Sequence, residues 1–526
     1  MHEIITLQLG QQSNYIATHF WNTQESYFTY ADNEESPINH DIHWRPGLGA
    51  DGSETYMPRT VIYDLKGGFG SLKKLNALYD VTESGENANG DASGSSLWAG
   101  RTVVQRADPI APSAYQQSLD AGLAPPQLTT QAVLYWSDFN RVYYHPRSIV
   151  QLNEYELGST LAPFERWETG EELFADLDKE HDIVDRDLRP FVEEADQMQG
   201  IQMMASLDDA WGGFASRYVE RLRDEYGKTT VWVWGVNSAM AGVNRDKRLL
   251  RLVNKAKSLT ELYKQASLLI PISIPSTLSP RLRQTLALDT SSAWHTSALL
   301  SAAIESATLP SRLKDTENRE TLGTMADMLN VHGKQTVADL QMSFADADAL
   351  PHSVGAGDKP QDGLKLDLDF RPEDDASGSA AGGRMGQNGF RSTSKILSQV
   401  VANRGERAVD DDCDEEDEGV DRRERRRTRG EALGRRYRTT LDYPLLDSYP
   451  QIYRDEKGQA LKDKIAITTS LSTDTALSGR LKTLRGTVTR LFGLEERENL
   501  SNELAEMADE YHEGWSSGSD FGDDDD

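Results

Sequence analysis

The opening of the chain, a strand that meets a single glycine and turns into a helix, restricts the fold more than any other feature. Glu3 to Leu9 alternates as a strand, Gly10 follows, and Ile16, Phe20 and Trp21 then recur at helical spacing. A glycine between strand and helix lets the backbone reverse within one residue, and an α/β fold of the nucleotide-binding type begins in this way. A second strand, Thr60 to Tyr63, ends at Asp64 and leads into Gly67, Gly68 and Gly70. Loops at the carboxyl ends of such strands are where α/β sheets take ligands. Apolar residues between His181 and Gln199 repeat at three and four, which predicts an amphipathic helix, kinked or restarted at Pro190 and closed by Gly200. Next come a buried strand, Ile201 to Ser206, a loop, Asp208 to Gly213, and a helix carrying Phe214, Tyr218, Leu222 and Tyr226. The β-rich run Val231 to Gly235 follows. Strands alternating with helices imply a parallel sheet, so the fold class is α/β.

The later half reads differently. Ser353 to Lys395 is rich in Gly, Ser and Asp, Asp410 to Glu418 holds eight acids in nine positions, and Arg422 to Arg429 holds six arginines. Such a stretch cannot bury enough apolar surface to order itself, and 353–436 is expected to be a disordered, charge-segregated insertion. Order is expected to return at Tyr437 to Tyr453. A strand, Lys464 to Leu471, then precedes a helix capped by Thr473 or Asp474, with Leu477, Leu481, Leu484, Val488 and Leu491 on one face and Gly493 at its end. A last helix bears Leu500, Leu504, Met507 and Tyr511, and the chain closes on four aspartates.

Composition removes several function classes. With 56 Lys and Arg against 85 Asp and Glu, a net charge of -29 repels nucleic-acid phosphates, so direct nucleic-acid binding is not expected. The single cysteine, Cys413, has no partner thiol, which excludes an intrachain disulfide and a cysteine zinc cluster. His40 and His43 lie close together without a second ligand pair, so no metal site is expected. No segment reaches the roughly 18 apolar residues of a membrane-spanning helix, and the first residues resemble neither a signal peptide nor a mitochondrial presequence. Any organelle contact is expected to be peripheral. The Trp136-Ser-Asp segment lacks the frame of a nucleophile elbow, and Trp136, Phe139, Tyr143 and Tyr144 read as packing residues.

The opening Gly10-Gln-Gln-Ser-Asn14, with Ile16, Phe20 and Trp21, resembles the tubulin amino terminus, where this turn begins the first helix under the nucleotide. Further blocks occur in tubulin order: Pro58-Arg-Thr-Val-Ile-Tyr-Asp-Leu65, Gly200-Ile-Gln-Met-Met-Ala-Ser-Leu207, Ile465-Ala-Ile-Thr-Thr-Ser-Leu-Ser-Thr-Asp474, and the acidic last helix. Within that superfamily the segments Trp136 to Arg147 and Leu441-Asp-Tyr-Pro-Leu-Leu-Asp447 are similar to the Misato family, including its fungal mitochondrial-DNA-inheritance members. The resemblance implies a tubulin-like, parallel-sheet domain over 1–270. It also implies a smaller α+β domain in two parts, 271–352 and 437–513, the second with the C-terminal helices, and an acidic tail over 514–526. It further implies a role in mitochondrial distribution, morphology and partitioning, and in mitochondrial DNA inheritance. Partners are expected in the division or cytoskeletal machinery, and the location at the cytosolic face of mitochondria and in the cytoplasm.

The resemblance places a degenerate nucleotide site at Gly10, Gln11, Gln12 and Asn14, at Asp64, Lys66, Gly67 and Gly68, and at Asp208, Asp209, Trp211, Gly212 and Gly213. Where tubulins cradle phosphates with a glycine-rich loop, this chain has Asp208-Asp-Ala-Trp-Gly-Gly-Phe214. Two carboxylates then stand where a polyphosphate would lie; unit charges 4 Å apart at a partly buried site repel by about 4 kcal/mol. Trp211 adds bulk where the loop needs to be thin. Of tubulin's Asp-Leu-Glu, whose acids assist magnesium, the second becomes Lys66. Lys66 can instead meet a phosphate directly, whereas the plainer reading makes Gly67, Gly68 and Gly70 a tight turn. The acid that tubulins offer for hydrolysis finds only Asn318-Arg-Glu320, and no catalytic residue is assigned. The reading is a non-enzymatic protein without a cofactor; the alternative is a GTP-binding, polymerising GTPase with an altered pocket.

Overall fold

In a computed structural model, residues 2–29, 35–48, 54–72, 110–238, 242–344, 364–365, 395–405 and 433–511 are described, apart from 276, 277, 279, 332, 456 and 491–493. Six parallel strands make the first sheet: β1 (Ile4–Leu9), β2 (Thr60–Lys66), β3 (Ile149–Glu156), β4 (Gly200–Ser206), β5 (Thr230–Val236) and β6 (Leu268–Ile272). Their order is β3-β2-β1-β4-β5-β6, all parallel. This doubly wound arrangement reverses direction between β1 and β4, where such sheets open a crevice at the strand ends. β1, β4 and β6 are buried along their whole length, as strands covered on both faces must be.

Period-two alternation divides the core. Ile4, Ile62, Met204, Trp232, Trp234 and Ile270 face α1 (Gln11–Glu25) and α5 (Ala293–Ala307). Ile5, Leu7, Val61, Tyr63, Met203 and Val233 face the other layer, built from α2 (Trp167–His181), α3 (Ala210–Glu225) and α4 (Arg245–Gln265). The same layer takes in α7 (Ala476–Val488) and α8 (Leu494–Asp509), through Leu477, Leu481, Leu504 and Met507. A short helix, α6 (Leu322–Leu329), precedes the second sheet.

That sheet is mixed, in the order β8-β7-β11-β9-β10: β7 (Asp339–Phe344), β8 (Leu364–Lys365), β9 (Ile396–Arg404), β10 (Leu433–Thr439) and β11 (Ile467–Asp474). Only β9 and β10 pair in parallel. Leu340, Met342, Val400 and Leu471 join the cluster that holds α1 and α5, so the two sheets share one core. Inside it Glu305 of α5 is fully buried and bonded by Arg312 and Arg404, and it also accepts from Gln24 and Tyr27 of the first segment.

Three expectations are corrected. Residues 353–436 are not disordered throughout: β9 and the start of β10 lie inside that range, with Ser398, Val400 and Arg404 buried. A nine-residue strand between Gly-, Ser- and acid-rich flanks is hidden by its surroundings. The rest of that stretch, including Asp410 to Arg429, lies outside the described residues, as do 514–526. No single helix runs from His181 to Gln199. Asp182 takes a left-handed conformation that ends α2, a π-helical turn spans Val184–Leu188, and a short helix covers Arg189–Glu193. Gly200 opens β4 instead of closing a helix. Finally, Asp208 to Gly213 is not a loop, because α3 begins at Ala210.

Candidate functional site

The turns that follow β1, β2, β4 and β5 meet at the reversal point. Gly10 holds φ at 82°, donates its N–H to Tyr63 O at 3.0 Å and accepts from Asn14 N at 2.9 Å, which starts α1. A Cβ at this position would enter the indole of Trp211. After β2, Gly67 (φ 85°) completes a turn in which Gly68 N donates to Leu65 O at 2.9 Å. Asp64 is fully buried beneath that turn. Its Oδ2 accepts from Gln11 Nε2 at 2.5 Å and Asn14 Nδ2 at 2.7 Å, and its Oδ1 from Leu65 N at 2.8 Å. Gln11 Nε2 also donates to Gly68 O at 2.7 Å, so one amide clamps α1 to the turn. Burial pushes the Asp64 carboxyl up to about 7 against these donors. A Cβ at Gly68 would collide with Asp64, so close approach demands glycine there.

The turn after β4 spends its carboxylates on itself. Asp208 Oδ1 accepts from Ser206 Oγ at 3.0 Å, and Oδ2 accepts from Ser238 N at 3.1 Å, with Arg251 Nε 3.8 Å away. The aspartate thereby ties the end of β4 to the end of β5 and to α4. Asp209 caps α3, its Oδ1 accepting from Trp211 N at 2.9 Å. Burial and the neighbouring Asp208 push the Asp209 carboxyl up to about 7. Trp211 packs edge-on against Phe164 (5.2 Å between centroids) and Phe214 (5.6 Å) and is buried over the Gly10 turn. Gln12 Nε2 completes the circuit with a 2.6 Å bond to Ser238 Oγ.

A cavity of about 290 Å³ remains between these turns. That is the small end of the ~300–1,000 Å³ typical of small-molecule sites. Of the residues expected from sequence, Gly10, Gln11, Gln12, Asp208, Asp209 and Trp211 line it. Asn14, Asp64 and Gly68 form the hydrogen-bonded layer beside it, and Lys66 is exposed outside it. Gly212 and Gly213 lie within α3, where added Cβ atoms would strike Ser258 of α4 and the carbonyl of Trp167 in α2. They serve close helix contact there.

Sequence reading missed Lys247 and Arg251 of α4, and Glu156 and Glu165, all of which line the cavity. The basic run Arg245-Asp-Lys-Arg-Leu-Leu-Arg251 was the available signal. Neither cation is idle: Lys247 Nζ is 2.6 Å from Glu165, and Arg251 faces Asp208. Four carboxylates against two cations leave the lining negative, and Trp211 covers the backbone that would otherwise approach an anion. Glu320 is engaged elsewhere, 2.7 Å from Arg435 of β10. Among the described residues no group of three or more His, Cys, Asp or Glu side chains could hold a metal ion.

Comparison with known proteins agrees with this architecture. A family model described as the Misato Segment II tubulin-like domain matches residues 2–121, and one described as a tubulin domain matches 125–313. Protein dml-1 of Neurospora crassa is 56% identical over all of both chains, and Protein DML1 of Gibberella zeae is 47% identical, also over all of both. Protein dml1 of Schizosaccharomyces pombe is 34% identical over 60% of this chain and 66% of its own. With the doubly wound sheet, the Gly10 turn and full-length relatives in agreement, this chain belongs to the Misato/DML family of the tubulin-like superfamily.

Proposed function

We propose that the protein is a non-enzymatic tubulin relative that acts in mitochondrial distribution and morphology and in partitioning of the organelle and its DNA. The observation that carries the non-enzymatic half is Trp211, packed over the Gly10 turn with Asp208 and Asp209 beside it. A phosphate-binding turn needs thin, uncharged backbone, and here an indole and two acids stand in that place. The organelle role is supported by family membership. On this reading the body works as a scaffold for proteins of the division or cytoskeletal machinery, on the cytosolic face of mitochondria and in the cytoplasm. No helix among the described residues is long and apolar enough to cross a membrane, which suits peripheral attachment.

Two experiments test the halves separately. Titration with GTP and magnesium should give no saturable binding and no turnover, and micromolar affinity with magnesium-dependent hydrolysis rejects the non-enzymatic half. A tagged chain should colocalise with a mitochondrial marker, and cells depleted of it should show altered organelle shape and loss of mitochondrial DNA. Normal organelles and genomes in depleted cells reject the second half. The retained sheet and cavity favour a second reading, a GTP-binding, polymerising relative. That reading requires Trp211 to move off Gly10 when nucleotide enters.

A further inference from the structure

At the amino-terminal end of β3, at the far end of that strand from the Gly10 cavity, lies a second cavity of about 230 Å³. It is lined by Arg45, His145, Arg147, Pro190, Phe191 and Glu194. Arg45 belongs to a hairpin of Trp44–Leu48 and Glu54–Pro58, and Arg147 to the turn Pro146–Ser148 that feeds β3. Phe191 and Glu194 come from the short helix that follows the π turn and from its end. Arg45 lies over the Phe191 ring at 5.9 Å and meets Glu194 at 2.6 Å. Arg147 is exposed and has no ion pair among the described residues.

Behind these groups stands a third guanidinium. Arg45 is opposite Met57 in the hairpin, and Arg59 N donates to His43 O, so Arg45 and Arg59 project from the same face. Arg59 is 5% exposed, its Nε and Nη1 have no hydrogen-bond partner, and Glu3, Glu194, Arg45 and Asp41 lie within its electrostatic reach. A buried guanidinium with open N–H groups is costly to leave unanswered. His145 is neutral, because burial and the nearby Arg45 and Arg147 push its imidazole down to about 4. Its Nδ1 accepts from Arg147 N at 3.1 Å, so the hydrogen sits on Nε2. Two cations, Arg45 and Arg147, thus line the cavity beside one carboxylate, Glu194, in a chain whose net charge is -29.

We propose that this cavity binds a phosphate group, either a small free phosphate or a phosphomonoester lipid headgroup. Guanidinium forks match phosphate oxygens in pairs, and a dianion offers enough acceptors for Arg45 and Arg147 together, with Arg59 adding positive potential from behind. The volume admits a phosphate with a small substituent and falls below that of most drug-sized sites. Glu194 is the competitor: the ligand takes Arg45 from it.

The test uses the full chain, titrated calorimetrically with inorganic phosphate at low ionic strength. In parallel the chain is sedimented with phosphatidylcholine vesicles containing or lacking phosphatidic acid. Arg147→Gln, at an exposed position, should weaken binding by about tenfold or more while the fold stays intact by circular dichroism. Glu194→Gln should tighten binding by freeing Arg45, and the exposed Lys462→Gln should leave it unchanged. Binding to phosphate alone assigns a free small ligand, and phosphate-competed binding to phosphatidic acid vesicles assigns a headgroup. Absence of both, binding indifferent to Arg147→Gln, or weaker binding in Glu194→Gln overturns the proposal.

Discussion

A side chain at position 10 has nowhere to go. Gly10 sits at φ 82°, where L residues are strained, and its open side is filled by Trp211. Gly10→Ala should therefore lower stability by about 1–3 kcal/mol in chemical unfolding. Pairing it with Trp211→Ala should recover part of that loss, since two residues in contact do not act additively. Asp209 supplies a test in pH. Its folded-state carboxyl titrates near 7, above the unfolded value, so the folded state loses stability as pH rises through 7. Asp209→Asn retains a capping oxygen for Trp211 N and carries no charge. Its melting temperature should exceed that of the wild type at about pH 8, and the advantage should shrink towards about pH 5, where Asp209 is protonated in the folded protein.

At the scale of elements, α2 and α3 touch through glycines. A Cβ on Gly213 would enter the Trp167 carbonyl, and one on Gly170 the Ala210 carbonyl. Gly213→Ala should cost about 1–3 kcal/mol by forcing the helices apart, seen as a lower urea midpoint at unchanged slope. The resemblance to tubulins set Gly212 and Gly213 at the place of the phosphate loop, but glycine marks both a thin turn and a close helix crossing, and sequence alone does not separate them. The strands were legible for a firmer reason: β1, β2 and β4 are short, largely apolar runs, as strands covered on both faces must be, and each leads into a Gly- or Asp-bearing turn. β9 escaped because its apolar run, Val400 to Ala402, is short and its flanks are low in complexity. In the site, the Gly10 and Asp64 turns could be read because each follows its own strand. Lys247 and Arg251 left only a basic run to read, since the crossover from β5 into α4 is what brings them to the cavity.

For the whole molecule, Glu305, Arg312 and Arg404 bind the two sheets. All three side chains are fully buried. Burial alone would raise the Glu305 carboxyl; Arg404 and Arg312 overrule it and hold it below the ordinary range. The stability this contributes is present above the unfolded value and fades as acid takes pH down through the depressed one. Glu305→Gln leaves two interior cations unanswered and should cost about 3–5 kcal/mol in urea unfolding, with a single transition retained. The tubulin-domain match ends at residue 313, yet α5, within that range, packs against β7, β9 and β11, which come later. A fragment cut at that boundary would bare the face of α5 that meets β7, β9 and β11 and would take Arg404 from Glu305, leaving only Arg312 as its ion-pair partner. The place where the domain match stops is therefore a poor place to truncate the gene, and soluble expression should require the chain through α8.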